Sequence, residues 1–423
     1  MSSILNTNKK TIVLFQGGLG DVGDGFVETV ERLKNWSTKM IKADFSINMK
    51  NFDVEKGGFY GLDSAGYLTK QNALAMEFNQ KVASLVSLAN SNLNKSILVV
   101  TSLSESIDSV SNGKINYLGF DSVNDQATKL VYLINAIKNM DSSIRIILVG
   151  HSQGGLVDLE TAIRVPYKIE KIVSISTPYS AVSMAKKLIN INFIASIFKK
   201  DVYTMIQGDP KLAKKYKNRV EDLGTSSMYN NLKKRWKGLS QRPSLIVFAG
   251  VSGLLTEYYS GYTDSATGTY TPDSYYKYPF DGLVSISEQV SIDYANIIGL
   301  SEPKLGCYSS KEFLKSPCYL QQGVYMSCKR ACCLPAFDLN IALLKVGIEA
   351  LGKLVDAWVK GTTYDFNIND FDIIKDIFNG VSGEPISNSN NQRYYDTYRS
   401  DYSHQNLRYC NETIARLIAI FNV

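Results

Sequence analysis

Only two of the 423 residues are histidine, His151 and His404. A catalytic zinc held by several imidazoles is therefore excluded, and the His-Glu-x-x-His metalloproteases go with it. Any mechanism that needs a histidine must use one of these two. Long hydrophobic runs are missing as well: no stretch approaches the ~18 uninterrupted apolar residues of a membrane span. The polar residues 1–10 lead into an apolar run, Thr11–Phe15, too short for the core of an export signal. The expectation is a soluble, cytoplasmic chain. Cysteine is sparse too, and six in this length are not the framework of a small disulfide-stapled domain. Five of them, Cys307, Cys318, Cys328, Cys332 and Cys333, cluster without paired Cys-x-x-Cys spacing, so reduced, packed thiols are the expectation there; a Cys-rich metal site is the lesser alternative, and oxidised pairs would point to an extracellular protein.

What is present is the composition of a folded protein. The chain is 44% hydrophobic, 20% charged and 11% aromatic, which excludes a disordered tail, a collagen-like repeat and a coiled coil. At roughly 100–200 residues per domain, the length allows one large decorated domain or two to three small ones. The net charge of +6 is unevenly spread. Between Ser183 and Arg242 stand fourteen Lys/Arg against four Asp/Glu, which leaves the rest of the chain mildly acidic.

Short apolar strands alternate with helical spacing. Thr11–Phe15 reads as a buried strand that runs into the glycine turn Gln16-Gly-Gly-Leu-Gly20. Ser96–Thr101 is a second strand. Residues 121–140 place Val123, Ala127, Leu130, Val131, Ile134 and Ile137 on one helical face. Arg145–Val149, Lys171–Ser176 and Ser244–Phe248 are further strands. This pattern predicts an α/β fold, a mostly parallel sheet flanked by helices, with sites at the carboxyl ends of the strands. Residues 258–279, rich in Tyr, Gly, Thr and Asp, read as loop or irregular strand. Two stretches read as insertions into a single domain spanning 1–423: a basic helical one at 181–241 and a Cys-containing helical one at 300–391.

The sequence Gly150-His-Ser-Gln-Gly154 carries the chemistry. An apolar strand leads in, and Gly150 and Gly154 permit a sharp turn that lifts Ser152 above the sheet edge. The following helix aims backbone N–H groups at the same place. An ordinary capping serine at a strand–turn–helix junction is the plainer reading.

Gly150-His-Ser-Gln-Gly-Gly155 resembles the nucleophile elbow of bacterial lipases within the α/β-hydrolase family. Thr177-Pro178 after the next strand, and Phe280-Asp-Gly-Leu-Val-Ser285, are similar to those lipases as well. The resemblance implies an α/β-hydrolase fold and places the acid role on Asp281. The family histidine precedes a helix, and Ser403-His404-Gln-Asn-Leu407 fits that position. It further implies a lid after Thr177-Pro178, which falls on the basic insertion.

The residues themselves lead to the same place. A serine hydroxyl needs a base within hydrogen-bond reach. His151 adjoins Ser152 in sequence, but the sharp turn points their side chains apart, so His151 is expected to pack beneath the elbow. His404 is then the only candidate base, taking the serine proton and returning it to the leaving group. Asp281 would hold the imidazole tautomer, with Asp264, Asp273 and Asp293 as rivals. The order Ser152, Asp281, His404 is the α/β-hydrolase order. Two N–H donors must face the oxyanion. Gln153, next after the nucleophile, supplies one, and Gly18 the other, with Leu19 second. Many relatives carry His-Gly in that loop where this chain has Gln16-Gly17-Gly18, so the supporting hydrogen bonds would have to come from Gln16. Neither a P-loop nor a Rossmann spacing follows these glycines.

The expected activity is hydrolysis of carboxylic esters, most plausibly lipid esters, through an acyl-enzyme and without a cofactor. A thioesterase or acyltransferase would use the same triad. Outside enzymes, the alternative is a catalytically silent module that binds membranes. In the insertion, Leu188, Ile191, Ala195 and Phe198 form an apolar stripe, with Lys186, Lys187, Lys199 and Lys200 near the ends. As a lid it would open at an interface, and the cationic stretch 183–242 would favour anionic lipid. The plainer reading is a helix packed on the body with solvated lysines. Tyr216, Tyr229 and Trp236 interleave with the charge, but no nucleic-acid motif accompanies them and no nucleic acid is expected.

Overall fold

A computed structural model of the chain describes residues 8–19, 25–118, 121–182, 218–219, 222–251, 253–263, 270–281, 284–301, 404 and 406–422. The apolar runs form the centre. Eight strands make one sheet: β1 (Thr11–Gln16), β2 (Met40–Lys42), β3 (Ile47–Asn48), β4 (Ser96–Ser102), β5 (Arg145–His151), β6 (Lys171–Ile175), β7 (Ser244–Val251) and β8 (Ala295–Ser301). Their spatial order is β8-β7-β6-β5-β1-β4-β2, with β3 also on β4. Every pairing in this sheet is parallel. Parallel strands need covered faces, which is why β1 and β4 are mostly apolar or small, with every residue buried.

Strand alternation divides the core into two layers. Ile12, Leu14, Ile146 and Leu148 face helices α2 (Asn72–Ser91), α3 (Val123–Met140), α4 (Gln153–Arg164) and α5 (Ser226–Lys237). Val13, Phe15, Ile147 and Val149 face α1 (Val27–Trp36) and the C-terminal α7 (Asn411–Phe421). The helix α6 (Ile286–Gln289) is one turn, closed by a reciprocal Ser285–Glu288 capping box. The helix expected over 121–140 forms with Ser122 as N-cap, its hydroxyl accepting from the Asp125 N–H at 3.0 Å.

Two elements depart from the sequence reading. Residues 253–280 form a two-stranded antiparallel hairpin, Gly253–Thr263 with Tyr270–Phe280, where loop or irregular strand was expected. Pro272 and Pro279 lie in its second strand, a placement open to proline in a two-stranded ribbon. Helix α5, inside the basic insertion, belongs to the body: Tyr229, Leu232 and Trp236 are buried against α4, and the Trp236 indole donates to the Asp293 carbonyl at 3.0 Å. Its aromatics are therefore not available for stacking on bases. The apolar stretch 184–198 read as a lid, and the five clustered cysteines, lie outside the described residues. Among the described residues no helix is long and apolar enough to cross a membrane.

One buried ion pair ties the sheet edge to α3. The Lys129 ammonium reaches Asp121 at 2.8 Å, with both side chains almost fully buried. It also donates to the carbonyl of Leu103 at 3.1 Å and to that of Glu105. Removing one partner of such a pair strands the other charge in a low dielectric, at about 3–5 kcal/mol. Lys129→Ala is expected to lose stability on that scale in urea denaturation. A loss under about 1 kcal/mol, the size of an exposed pair, would contradict this account.

Helix α4 also carries Asp158 into the core. Its carboxyl is fully buried, and neither oxygen has a hydrogen-bond partner among the described residues. Burial holds its pKa well above the ordinary carboxylate value. The native state therefore keeps this proton at pH values where the unfolded chain, near 3.9, has lost it. Stability then falls as pH rises through that window. In thermal melts, Asp158→Asn should gain on the parent progressively from mild acid to mild alkali. A difference that does not change with pH would refute the buried-acid assignment.

Candidate active site

The end of β5 meets the start of α4 in a single residue. Ser152 is the N-cap of α4, with φ 54° and ψ −125°, a conformation a non-glycine residue holds only under constraint. The constraint comes from both sides. The Ser152 N–H donates to the Ile175 carbonyl at 3.0 Å, and the Gly155 N–H to the Ser152 carbonyl at 3.1 Å. A methyl group on Gly150 would lie 2.4 Å from the backbone of Gly154. One on Gly154 would lie 2.4 Å from the Gln16 carbonyl oxygen. These two glycines allow the turn and the loop after β1 to close on each other, as their spacing predicted.

That loop passes over the serine. A methyl on Gly18 would come within 3.0 Å of the Ser152 Cβ, so the backbone of Gly18 lies against the nucleophile position. Gln153 is buried as the first residue of α4. Gln16, by strand alternation, shares the face of Ile12 and Leu14. Its amide is buried and makes no hydrogen bond among the described residues, so the support expected from it is not found there.

The acid arrives at the end of the hairpin that follows β7. Asp281 immediately follows Phe280 and is fully buried. One carboxylate oxygen accepts from the Val284 N–H at 2.8 Å; the other meets His404 Nδ1 at 2.8 Å. The His404 N–H also donates to the Asp281 carbonyl at 2.7 Å, so main chain and side chain are both fixed on the same aspartate. Gln289 clamps this turn: its side-chain amide donates to the carbonyls of Val284 and Gly250 and accepts from the Gly250 N–H. His404 leads through the turn Asn406–Arg408 into α7, in the position before a helix that the sequence suggested. Of the rival carboxylates, Asp293 is exposed and lies 4.0 Å from the Lys237 ammonium. Asp273 stands within the hairpin strand, and Asp264 lies outside the described residues.

His151 is buried, and its ring packs beside the base. Alternation along β5 sets it on the face of Ile147 and Val149, toward α1 and α7, beside the base. Its Nε2 is 2.7 Å from the His404 carbonyl oxygen, and the two rings are 4.8 Å apart. The loop bearing the base is thus anchored to the residue next to Ser152, 253 positions away in sequence. Burial, reinforced by the nearby Arg408 charge, pushes the His151 pKa well below its ordinary value and keeps the ring neutral.

A cavity of about 460 Å³ opens beside Gln153, between α3 and α5. Ser122, Asn124, Asn231 and Arg235 are among its walls. Its charge is internally balanced, since Arg235 is paired with the buried Glu160 at 2.7 Å.

The family model described as a PGAP1-like alpha/beta domain matches residues 111–229, the stretch that holds the serine turn. Solved structures similar to this chain include a gene product of Listeria innocua, 11% identical, covering 73% of this chain and 90% of that one, TM-score 0.35. The mature lipase BlEst2 of Bacillus licheniformis is 12% identical over 70% of this chain and 85% of its own, TM-score 0.33. A lipase-esterase related protein of Clostridium acetobutylicum is 11% identical over 73% and 90%, TM-score 0.30. No curated protein matches the sequence significantly. The parallel sheet carries helices on both faces, and the strained serine sits between β5 and α4 at the carboxyl end of a central strand.

Proposed function

We propose that this chain is an α/β hydrolase, a serine hydrolase of carboxylic esters acting on lipid esters. The observation that carries the reading is the buried Asp281–His404 pair, tied by its backbone to the residue beside Ser152. His404 keeps its Nδ1 proton on Asp281, which leaves Nε2 as the basic nitrogen. Ser152 Oγ attacks the acyl carbonyl carbon while its proton passes to His404 Nε2. The carbonyl π bond opens and its electron pair becomes the oxyanion, which the N–H groups of Gln153 and Gly18 receive. The oxyanion reforms the carbonyl and expels the alcohol oxygen, which takes the proton from His404. A water then repeats the sequence on the acyl-enzyme and releases the acid. No cofactor takes part in these steps. The lipid assignment draws on the apolar, cationic stretch 183–242, which suits peripheral contact with an anionic membrane.

Purified protein should hydrolyse a p-nitrophenyl ester, and Ser152→Ala should not. A folded protein inert toward both oxygen esters and thioesters would end the hydrolase reading in favour of a silent module. Thioester turnover well above oxygen-ester turnover would replace the esterase assignment with a thioesterase. Failure to sediment with anionic vesicles, alongside good cleavage of short soluble esters, would remove the lipid part.

A further inference from the structure

The His151 imidazole touches all three segments that make the site. It sits in the turn next to Ser152, and its Nε2 is 2.7 Å from the His404 carbonyl. The loop after β1 closes the third side: a methyl on Gly18 would lie 3.4 Å from His151 Nδ1. Phe26 stands edge-on to the ring at 6.4 Å and completes its enclosure. We infer that His151 is a positioning residue, whose Nε2–H holds the His404 backbone, and with it the basic imidazole, at a fixed height above Ser152. The inference rests on the proposed roles of Ser152 and His404.

The chemistry admits one arrangement of protons. A carbonyl oxygen only accepts, so Nε2 of His151 must donate, and a neutral ring then leaves Nδ1 bare. That nitrogen is buried, with no hydrogen-bond partner among the described residues. Neutrality matters for the reaction as well. Burial keeps His151 uncharged, so it does not oppose the imidazolium that forms on His404, 4.8 Å away between ring centres. Any cation so close would raise the energy of the charged intermediate. The two histidines therefore carry opposite tautomers: Nδ1–H on His404, toward Asp281, and Nε2–H on His151, toward the His404 carbonyl.

With two histidines in the chain, a spectrum of ¹⁵N-histidine-labelled protein contains two ring systems, and His151→Gln assigns them by removing one. Near neutral pH, His151 should appear as the Nε2–H tautomer with an unprotonated Nδ1. An Nδ1–H tautomer, or a protonated ring, overturns the proposal. Kinetics give a second, independent reading. His151→Leu keeps the ring's bulk without a donor, and kcat for a p-nitrophenyl ester should fall about 10- to 100-fold with KM nearly unchanged, the signature of a misplaced catalytic group. Glutamine reaches a similar distance with an N–H donor, and His151→Gln should recover most of that loss. A folded leucine variant with the parent's kcat overturns the proposal, and so does a glutamine variant as slow as the leucine one. If the leucine variant does not fold, the spectrum and the glutamine variant decide. An inactive parent protein would instead refute the hydrolase reading, while the tautomer measurement would still test the His151 bond by itself.

Discussion

Alanine at position 404 is expected to leave a folded protein whose ester turnover is reduced by about 10⁵- to 10⁶-fold. The fold should survive because the anchors of this loop are backbone groups. The residue 404 N–H still donates to the Asp281 carbonyl, and its carbonyl still accepts from His151. Catalysis should not survive, because the chain has one other histidine and that ring is committed. Its Nε2 is occupied by the residue 404 carbonyl, and burial holds it neutral. Without a base, the serine hydroxyl must lose its proton to water, and the leaving alkoxide receives none from the protein. Residual activity within about tenfold of the parent would mean that His404 is not the base.

Asp281→Asn should cost about 10⁴-fold in kcat with little change in substrate binding. Among the described residues the carboxylate receives His404 Nδ1–H on one oxygen and the Val284 N–H on the other. An asparagine amide can satisfy one of these as an acceptor, but its NH₂ group must then face the other. If the oxygen keeps the Val284 N–H, the amide donates to Nδ1 of His404, and the ring proton is driven to Nε2. The base then points a proton, not a lone pair, at Ser152. Asp293→Asn serves as the comparison, because that carboxylate is exposed and should leave turnover unchanged. Equal, small effects of the two substitutions would exclude Asp281 from the acid role.

The fold was legible where the sequence obeys a simple period. Thr11–Phe15, Arg145–Val149 and Ser244–Phe248 are apolar on both faces because a parallel sheet covers both, and each appears as a strand. The Gly150–Gly154 turn was legible because close approach of two backbones excludes side chains at those positions. Asp281 and His404 were singled out chiefly by resemblance, through an Asp-Gly-Leu-Val stretch and a histidine ahead of a helix, and the fold sets their side chains 2.8 Å apart.

The rest depends on long-range neighbours. His151 was expected to pack beneath the elbow, but its bond to the His404 backbone is not visible in the local sequence. The alternation of β5 sends it toward α7, whose position no local pattern reveals. The Lys129–Asp121 pair looks like two solvated charges on a helix until the carbonyls of Leu103 and Glu105 close over the ammonium. Helix α5 reads as basic, yet Tyr229, Leu232 and Trp236 recur at spacings of three and four, a buried stripe inside a charged run. The hairpin at 253–280 is masked by prolines and glycines that would interrupt a central strand but suit a two-stranded ribbon.

The most direct measurement is the mass of the native protein after treatment with a fluorophosphonate, followed by mapping of the modified peptide. Such a reagent reacts with a serine that has an activated hydroxyl and an oxyanion site. The expected result is one adduct per chain, on Ser152, formed slowly or not at all in His404→Ala. A folded protein that takes up no adduct, or takes it up on another residue, would contradict the assignment of Ser152 as the nucleophile.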